Sequence, residues 1–483
     1  MAAPFERKVP MDPLKNKIPS AVDTIHLIAV CGTGMTALAV MLKDLGYRVS
    51  GSDQNVYPPM STFLTDHDIA IAEGFRPAHL DTRPDLVIVG NAVSRDNPEA
   101  MRLSELGLNY CSMPQAVNHF LARGKKALVI TGTHGKTTTA SLLAWILFHA
   151  GRDPSFIIGG ILKNFKSNHR LGQGDFVVIE GDEYDTAFFD KGPKFLHYRP
   201  HTAVLTSVEF DHADIFADLN HVIRTFDRFL SGLPDTCRVF AFDGDPNVAT
   251  LTNTRPDLVK TYGYGPDALW RPGIERREGH WTIFDIFRAG KLFGTFRTRL
   301  PGRHNRLNTL AAVAVADRIG LTAPEIAAGL ATFTGIRRRQ EIRGVKRGIT
   351  VIDDFAHHPT AVLETIAAIR SQYPAGRLIA VFEPRTNTSM RNVFQKKYAT
   401  VFDQADIICI RTPSMRHKVP ADQRLSSENL VADLVRRKKA ARHFDDTETI
   451  ISYLTDIAAA DDVILIMSNG GFDNIHARLL DQL

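Results

Sequence analysis

Short apolar runs recur along this chain, each followed by a Gly-rich or polar turn and then by a segment with helical spacing. Uninterrupted apolar runs of this length read as strands buried on both faces, and their alternation with helices predicts parallel α/β sheets. The runs fall into three series. The first begins at Ile25-His26-Leu27-Ile28-Ala29-Val30 and includes Leu86-Val87-Ile88-Val89. The second begins at Ala127-Leu128-Val129-Ile130, passes through Phe176-Val177-Val178-Ile179 and Ala203-Val204-Leu205, and ends near Phe333. The third begins at Ile349-Thr350-Val351-Ile352 and includes Leu378-Ile379-Ala380-Val381, Ile407-Ile408-Cys409-Ile410 and Val463-Ile464-Leu465-Ile466. The expected organisation is therefore an N-terminal extension over residues 1–22 and three α/β domains over 23–119, 120–335 and 336–483. Residues 255–300 alternate apolar and polar positions with several glycines, which predicts a small antiparallel insertion in the second domain.

Length and composition agree with several domains: 483 residues, 44% hydrophobic and 23% charged, are those of an ordinary globular enzyme. The net charge of +5 is small and spread along the chain, so no nucleic-acid partner is expected. The basic runs Arg337-Arg338-Arg339 and Arg436-Arg437-Lys438-Lys439 read by themselves as solvated faces. Cys31, Cys111, Cys237 and Cys409 are far apart, which points to buried thiols in a reducing compartment rather than to disulfides or a structural zinc. No apolar run approaches the roughly 20 residues that span a bilayer, and the first residues are charged and proline-broken. A cytoplasmic protein without membrane insertion is expected.

Candidate chemistry clusters where strands end. After the first strand, Gly32-Thr33-Gly34-Met35-Thr36-Ala37 matches G-x-G-x-x-A, and Asp53 follows about twenty residues on. Such a turn lets backbone amides approach a diphosphate, of NAD or of a UDP-sugar; a tight turn without ligand is the bland reading. Thr131-Gly132-Thr133-His134-Gly135-Lys136-Thr137-Thr138-Thr139 lies between a strand and a helix and reads as a phosphate loop, although only two residues separate its glycines. Lys136 suits the β and γ phosphates and Thr137 suits magnesium. Glu180-Gly181-Asp182-Glu183-Tyr184-Asp185 follows the next strand, where a metal-binding carboxylate could sit, although such clusters alone are more often solvated loops. Glu209-Phe210-Asp211-His212 offers an imidazole, which alone reads better as a core or capping group. Asn305 and Asn308 share a helix face and could read a purine edge. The third series supplies Asp353-Asp354-Phe355-Ala356-His357-His358-Pro359, Glu383-Pro384-Arg385 and Ser468-Asn469-Gly470-Gly471 after its strands.

Taken in order, G-T-H-G-K-T-T-T, E-G-D-E-Y-D, E-F-D-H, G-R-H-N-R-L-N, R-R-R-Q-E and D-D-F-A-H-H-P-T resemble the Mur ligase family from about residue 23 onward. The resemblance implies a Rossmann-like UDP-binding domain, a central P-loop ATPase domain with a mainly parallel sheet, and a C-terminal Rossmann-like domain. It implies ATP and Mg2+ as cofactors. Gly132, Thr133, His134, Gly135, Lys136, Thr137, Thr138, Asn305, Asn308, Arg339 and Asp354 would meet ATP, with Lys136, His212, Arg339 and Asp354 as the catalytic set. Thr137, Glu180 and His212 would hold the metal. Gly32, Thr33, Gly34, Met35, Thr36, Asp53, Asn91, His357, His358, Arg385, Ser468 and Asn469 would bind substrates. Many family members carry a carbamylated lysine after the D-H motif, and Arg224-Thr225-Phe226-Asp227-Arg228-Phe229 lacks it.

Residues 52–62, 182–191 and 383–388 resemble the branch that recycles peptidoglycan. That likeness implies ATP-dependent joining of UDP-N-acetylmuramate to L-alanyl-γ-D-glutamyl-meso-diaminopimelate through an acyl phosphate; the sequence does not set the oligomeric state, monomer or weak dimer. The L-alanine-adding ligase of de novo synthesis is the alternative. A dinucleotide-dependent oxidoreductase and a non-catalytic UDP-sugar sensor are rivals of other classes; the first leaves the Lys136 loop unexplained.

Overall fold

The computed structural model describes residues 11–58 and 60–483. The first ten residues of the expected N-terminal extension, and Pro59 within the 52–62 stretch, lie outside the described residues.

Strands β1 (Thr24–Ile28), β2 (Arg48–Asp53), β3 (Ala70–Glu73), β4 (Leu86–Val89) and β5 (Tyr110–Ser112) form a parallel sheet in the order β3-β2-β1-β4-β5. All four residues of β4 are buried, which is why it reads as an unbroken apolar run; the last four of β1 are buried too, its His26 lying 2.9 Å from Ser50 Oγ. Each such buried aliphatic side chain contributes roughly 1.5–3 kcal/mol. Parallel neighbours need crossovers, and the helices Thr33–Asp44 and Pro98–Leu106 provide two. The winding reverses at β1, so the carboxyl ends of β1 and β4 flank a crevice of the kind that holds ligands.

The second sheet contains β6 (Lys126–Thr131), β7 (Ser155–Leu162), β8 (Ser167–Arg170) and β9 (Phe176–Glu180). A separate hairpin follows, β10 (Asp185–Ala187) with β11 (Asp190–Pro193). The sheet resumes with β12 (Thr202–Leu205), β13 (Arg238–Phe242), β14 (Val259–Tyr262), β15 (Trp270–Glu278), β16 (Trp281–Arg288) and β17 (Lys291–Thr298). Its order is β17-β16-β15-β14-β13-β12-β6-β9-β7-β8, with β7, β9, β6, β12, β13 and β14 parallel. The predicted antiparallel strands are present as β15, β16 and β17, and they extend the main sheet beyond β14 instead of standing apart from it. Helix Lys136–His149 is buried nearly all round because Arg303–Arg318 and Ala323–Thr332 pack on it.

The β10–β11 hairpin reaches back to the first sheet. Phe188 and Phe189 at its tip pack on the cluster of Ile28, Leu80, Val87 and Val89, and the Phe189 ring stands edge-on to Tyr110 at 4.9 Å. Asn168 on β8 also donates to the Thr33 carbonyl at 3.3 Å.

The third sheet comprises β18 (Glu341–Lys346), β19 (Ile349–Asp354), β20 (Leu378–Phe382), β21 (Ile407–Arg411), β22 (Ala440–Phe444) and β23 (Val463–Met467), ordered β18-β19-β23-β20-β21-β22. All pairs are parallel except β18 with β19. The chain enters it through residues 335–340, where Gly335 (φ 96°), Arg338 (φ 60°) and Gln340 (φ 48°) have left-handed backbone. Thr360 donates to Glu209 at 2.7 Å and the Ala213 amide to Thr388 Oγ1 at 3.0 Å, joining the second and third sheet regions.

Candidate active site

The turn between β6 and helix Lys136–His149 is shaped by two left-handed glycines, Gly132 (φ 122°) and Gly135 (φ 80°). A Cβ on Gly132 would lie 2.1 Å from Thr206 Oγ1, and one on Gly135 would lie 2.4 Å from Asn308 Oδ1. Both conformation and space therefore require glycine. The turn is tied to the segment after β12: the Thr133 amide donates to the Ser207 carbonyl (2.9 Å), the His134 amide to Ser207 Oγ (3.0 Å), and the Glu209 amide to Thr133 Oγ1 (2.9 Å). The amides of Thr133 and His134 are thus engaged within the protein. Those of Lys136, Thr137 and Thr138 open the helix, have no intrahelical acceptor, and are the ones a phosphate can use.

Lys136 is buried and donates to the Gly132 carbonyl (2.5 Å) and to Glu183 Oε2 (2.7 Å). Burial alone would lower its pKa, but the carboxylates of Glu183, Asp182 and Glu180 hold it above the ordinary lysine value. Glu180, at the end of β9, accepts from Thr137 Oγ1 (2.8 Å) and from the Gly159 amide (2.7 Å). Burial, reinforced by Asp182, pushes the Glu180 carboxyl up. Asp182 is drawn below the usual carboxylate range against the effect of burial, because the Lys194 ammonium lies 3.0 Å away. The other Glu183 oxygen faces His212 Nε2 at 3.6 Å, so Glu183 stands between Lys136 and His212. Glu183 carries no assigned role in the sequence reading; its place beside Glu180 in an acidic run after a strand is the signal for it. The Thr137 hydroxyl beside the Glu180 carboxylate is a hard oxygen pair that suits Mg2+.

Other residues reach this centre from the helix Arg303–Arg318 and from the third sheet. Asn308 donates to Asn305 Oδ1 (3.2 Å) while its own Oδ1 accepts from Thr139 (3.3 Å), and Asn305 also donates to Gln340 (3.0 Å). Arg339 lies over the Phe355 ring (4.9 Å) with Nη2 3.4 Å from Thr137 Oγ1. Asp354 accepts from the amides of Gln340 and Ala356, both at 2.7 Å, and burial pushes its pKa up against the pull of Arg339. His357 Nε2 lies 3.8 Å from Asp211, and His358 caps the helix Pro359–Gln372. The solvated reading holds for exposed Arg337 but fails for Arg338, whose guanidinium donates to the carbonyls of Ser468 and Gly470, each at 2.6 Å. Its left-handed backbone turns that side chain inward, toward the third sheet.

The remaining candidates form two other groups. On the first sheet, Gly32 to Thr36 occupy the turn after β1 and the helix start, with Met35 and Thr36 buried and Thr36 donating to the Val30 carbonyl (2.8 Å). Asp53 accepts from the amides of Cys31 and Asn55, both at 2.9 Å, and so holds that turn; Asn91 is exposed. On the third sheet, Ser468 donates to Glu383 (2.6 Å), Arg385 lies 3.7 Å from the same carboxylate, and Asn469 Oδ1 has no partner among the described residues.

A glycine-shaped loop of phosphate-binding type on a mainly parallel sheet, flanked by two further mainly parallel sheets bearing candidate ligand groups, defines a nucleotide-binding class of protein assembled from three α/β parts. Residues 24–125 match the family described as Mur ligase family, catalytic domain; residues 130–316 match the Mur ligase middle domain, and 338–470 the Mur ligase, glutamate ligase domain. The chain belongs to the Mur ligase family. It is 39% identical to the UDP-N-acetylmuramate:L-alanyl-γ-D-glutamyl-meso-2,6-diaminoheptandioate ligase of Escherichia coli, over 95% of this chain and 98% of that protein. It is 31% identical to the UDP-N-acetylmuramate:L-alanine ligase of Syntrophobacter fumaroxidans, over 95% of this chain and 96% of that protein. The crystal structure of a murein peptide ligase from Psychrobacter arcticus superposes with a TM-score of 0.70 at 33% identity, covering 96% of this chain and 98% of that one.

Proposed function

We propose that this ligase joins the lactyl carboxylate of UDP-N-acetylmuramate to the alanine amine of L-alanyl-γ-D-glutamyl-meso-diaminopimelate, converting ATP to ADP and phosphate, in the recycling of peptidoglycan. The observation that carries the nucleotide chemistry is the buried Lys136 ammonium at the mouth of a glycine-shaped loop, held among carboxylates. The choice of acceptor is supported by the greater identity to the tripeptide ligase, 39% against 31% for the alanine ligase. A cytoplasmic setting follows from these substrates, and no described helix is long and apolar enough to cross a membrane.

A carboxylate has no adequate leaving group, so it must first take the γ-phosphoryl group and become an acyl phosphate. On moving from Glu183 to the nucleotide, Lys136 offsets charge on the transferred group. Magnesium, held by Thr137 and Glu180 with His212 nearby, would neutralise phosphate charge when bound. Asn305 and Asn308 would take the adenine end, and Arg339 and Asp354 would close on the nucleotide as residues 335–340 flex. Gly32 to Thr36, Asp53 and Asn91 would bind the UDP-sugar. Arg385, Ser468 and Asn469 would hold the peptide, with His357 or His358 meeting its amine. That amine attacks the acyl carbon, and the tetrahedral intermediate expels phosphate.

Phosphate release from ATP with UDP-N-acetylmuramate, comparing L-alanine with the tripeptide and identifying the product by mass spectrometry, tests the reading. Release and a UDP-muramoyl-tripeptide with the tripeptide alone support it; equal or better use of L-alanine moves the chain to the alanine-adding branch, and no release with either sinks the ligase assignment.

A further inference from the structure

A second constellation lies beside the phosphate loop on the side facing the third sheet. His134 from the loop, Glu209 from the segment after β12 and His358 at the start of the helix Pro359–Gln372 each offer one ligand atom, and these atoms lie within 4.8 Å of one another. His134 Nε2 is 3.6 Å from Glu209 Oε1, and His358 Nδ1 is 3.8 Å from Glu209 Oε2. Both separations are too long for hydrogen bonds, yet they are close to the spacing of neighbouring ligands around a tetrahedral ion with bonds of about 2.0–2.2 Å.

The side chains are also prepared for coordination. His358 Nε2 lies 3.2 Å from the Phe210 carbonyl, so that nitrogen carries the proton and Nδ1 turns its lone pair toward Glu209. A ring N–H donated to a backbone carbonyl is the usual outer partner of a metal-bound histidine. Burial drives the His358 pKa down to about 4, so the imidazole stays uncharged at neutral pH. Thr360 donates to Glu209 Oε2 at 2.7 Å and orients the carboxylate. His134 Nε2 is buried with no partner among the described residues, an orphan that a cation would satisfy. The Thr360 amide lies 3.3 Å from His358 Nδ1, a weak bond to give up.

We infer that His134, Glu209 and His358 form a binding site for a zinc-type divalent cation, separate from the Thr137 and Glu180 oxygens, which ties the phosphate loop to the third sheet. Two imidazoles and a carboxylate are ligands that favour zinc over magnesium, with the fourth position left to water; with both His358 nitrogens so engaged, contact to the acceptor amine falls to His357.

The test is a zinc titration of the metal-free full-length protein against a chromophoric chelator, repeated with cobalt(II) to read coordination from its visible spectrum. One equivalent of zinc and the intense spectrum of four-coordinate cobalt are expected. Glu209→Gln and His358→Gln should each weaken zinc by more than about tenfold, at least the effect of losing an outer partner. Glu209→Gln keeps an acceptor for Thr360, so it carries the test even if His358→Gln proves unstable. Absence of binding, equal binding in the Glu209→Gln protein, or the pale spectrum of six-coordinate cobalt would each overturn the assignment.

Discussion

Glu183 accepts a hydrogen bond from Lys136 at 2.7 Å while its other oxygen faces His212 at 3.6 Å. In the proposed role Lys136 would therefore leave or share an existing partner to reach the nucleotide. Replacing Lys136 with alanine should cut ATP turnover by about 10²–10³-fold or more, the scale of losing a preorganised electrostatic group. UDP-sugar binding, measured by calorimetry, should be retained; loss of both would show that the substitution unfolds the protein or that the site is misassigned.

Gly135 and Gly151 both have left-handed backbone, at φ 80° and 70°, but only at Gly135 would an added Cβ meet an atom, Asn308 Oδ1 at 2.4 Å. Alanine at Gly151 should cost about 1 kcal/mol through conformation alone. At Gly135 the cost should be larger and accompanied by at least tenfold weaker ATP binding. Melting curves and nucleotide titrations of the two variants separate these terms, and equal effects would contradict the packing described.

Glu99 is buried in the first sheet region, where it accepts from Ser52 (2.5 Å) and lies 2.6 Å from His79 Nδ1 and 3.5 Å from His26 Nε2. Against the effect of burial, these partners hold its carboxyl below the ordinary glutamate value of 4.5. The folded state therefore binds protons less readily than the unfolded chain. Its contribution to stability is complete above about pH 4.5 and declines as pH falls through the folded pKa. Glu99→Gln should destabilise by about 1–3 kcal/mol at neutral pH. It should also flatten the acid limb of the stability curve in denaturant titrations; an unchanged slope would show that Glu99 does not set it.

Arg337 and Arg338 are adjacent but differently placed, the first exposed and the second donating to the Ser468 and Gly470 carbonyls. Arg337→Ala should stay within about 0.5 kcal/mol of the parent. Arg338→Ala should lose about 1.5–3 kcal/mol and raise the KM for the peptide, because the Ser468 loop abuts Arg385. Similar melting temperatures for the two variants would refute the distinction.

What could be read from the sequence follows from distance along the chain. Gly132, Gly135, Lys136 and Thr137 are neighbours in sequence, and β4 is buried at every position, so loop and strand are both visible locally. Strand β3 is not, since none of its residues is fully buried, nor is β7, where Gly159-Gly160 interrupts the apolar run. The contacts that place Glu183, Arg338 and Glu209 join residues 47, 130 and 151 positions apart. No local pattern encodes those pairings: the first two join segments at the ends of different strands of one sheet, and the third comes from the packing of the third sheet region on the second.

The β10–β11 hairpin has its aromatic tip on the first sheet, and the chain leading into it carries Asp182 and Glu183, which hold Lys194 and Lys136. Thermodynamic linkage then sets a bookkeeping identity between its two ends. Whatever free energy couples occupancy of the proposed UDP-sugar turn to occupancy of the phosphate loop through this hairpin, each ligand gains or loses that same amount from the other. The order in which the two ligands arrive can alter their rates of binding but never the size of that mutual preference.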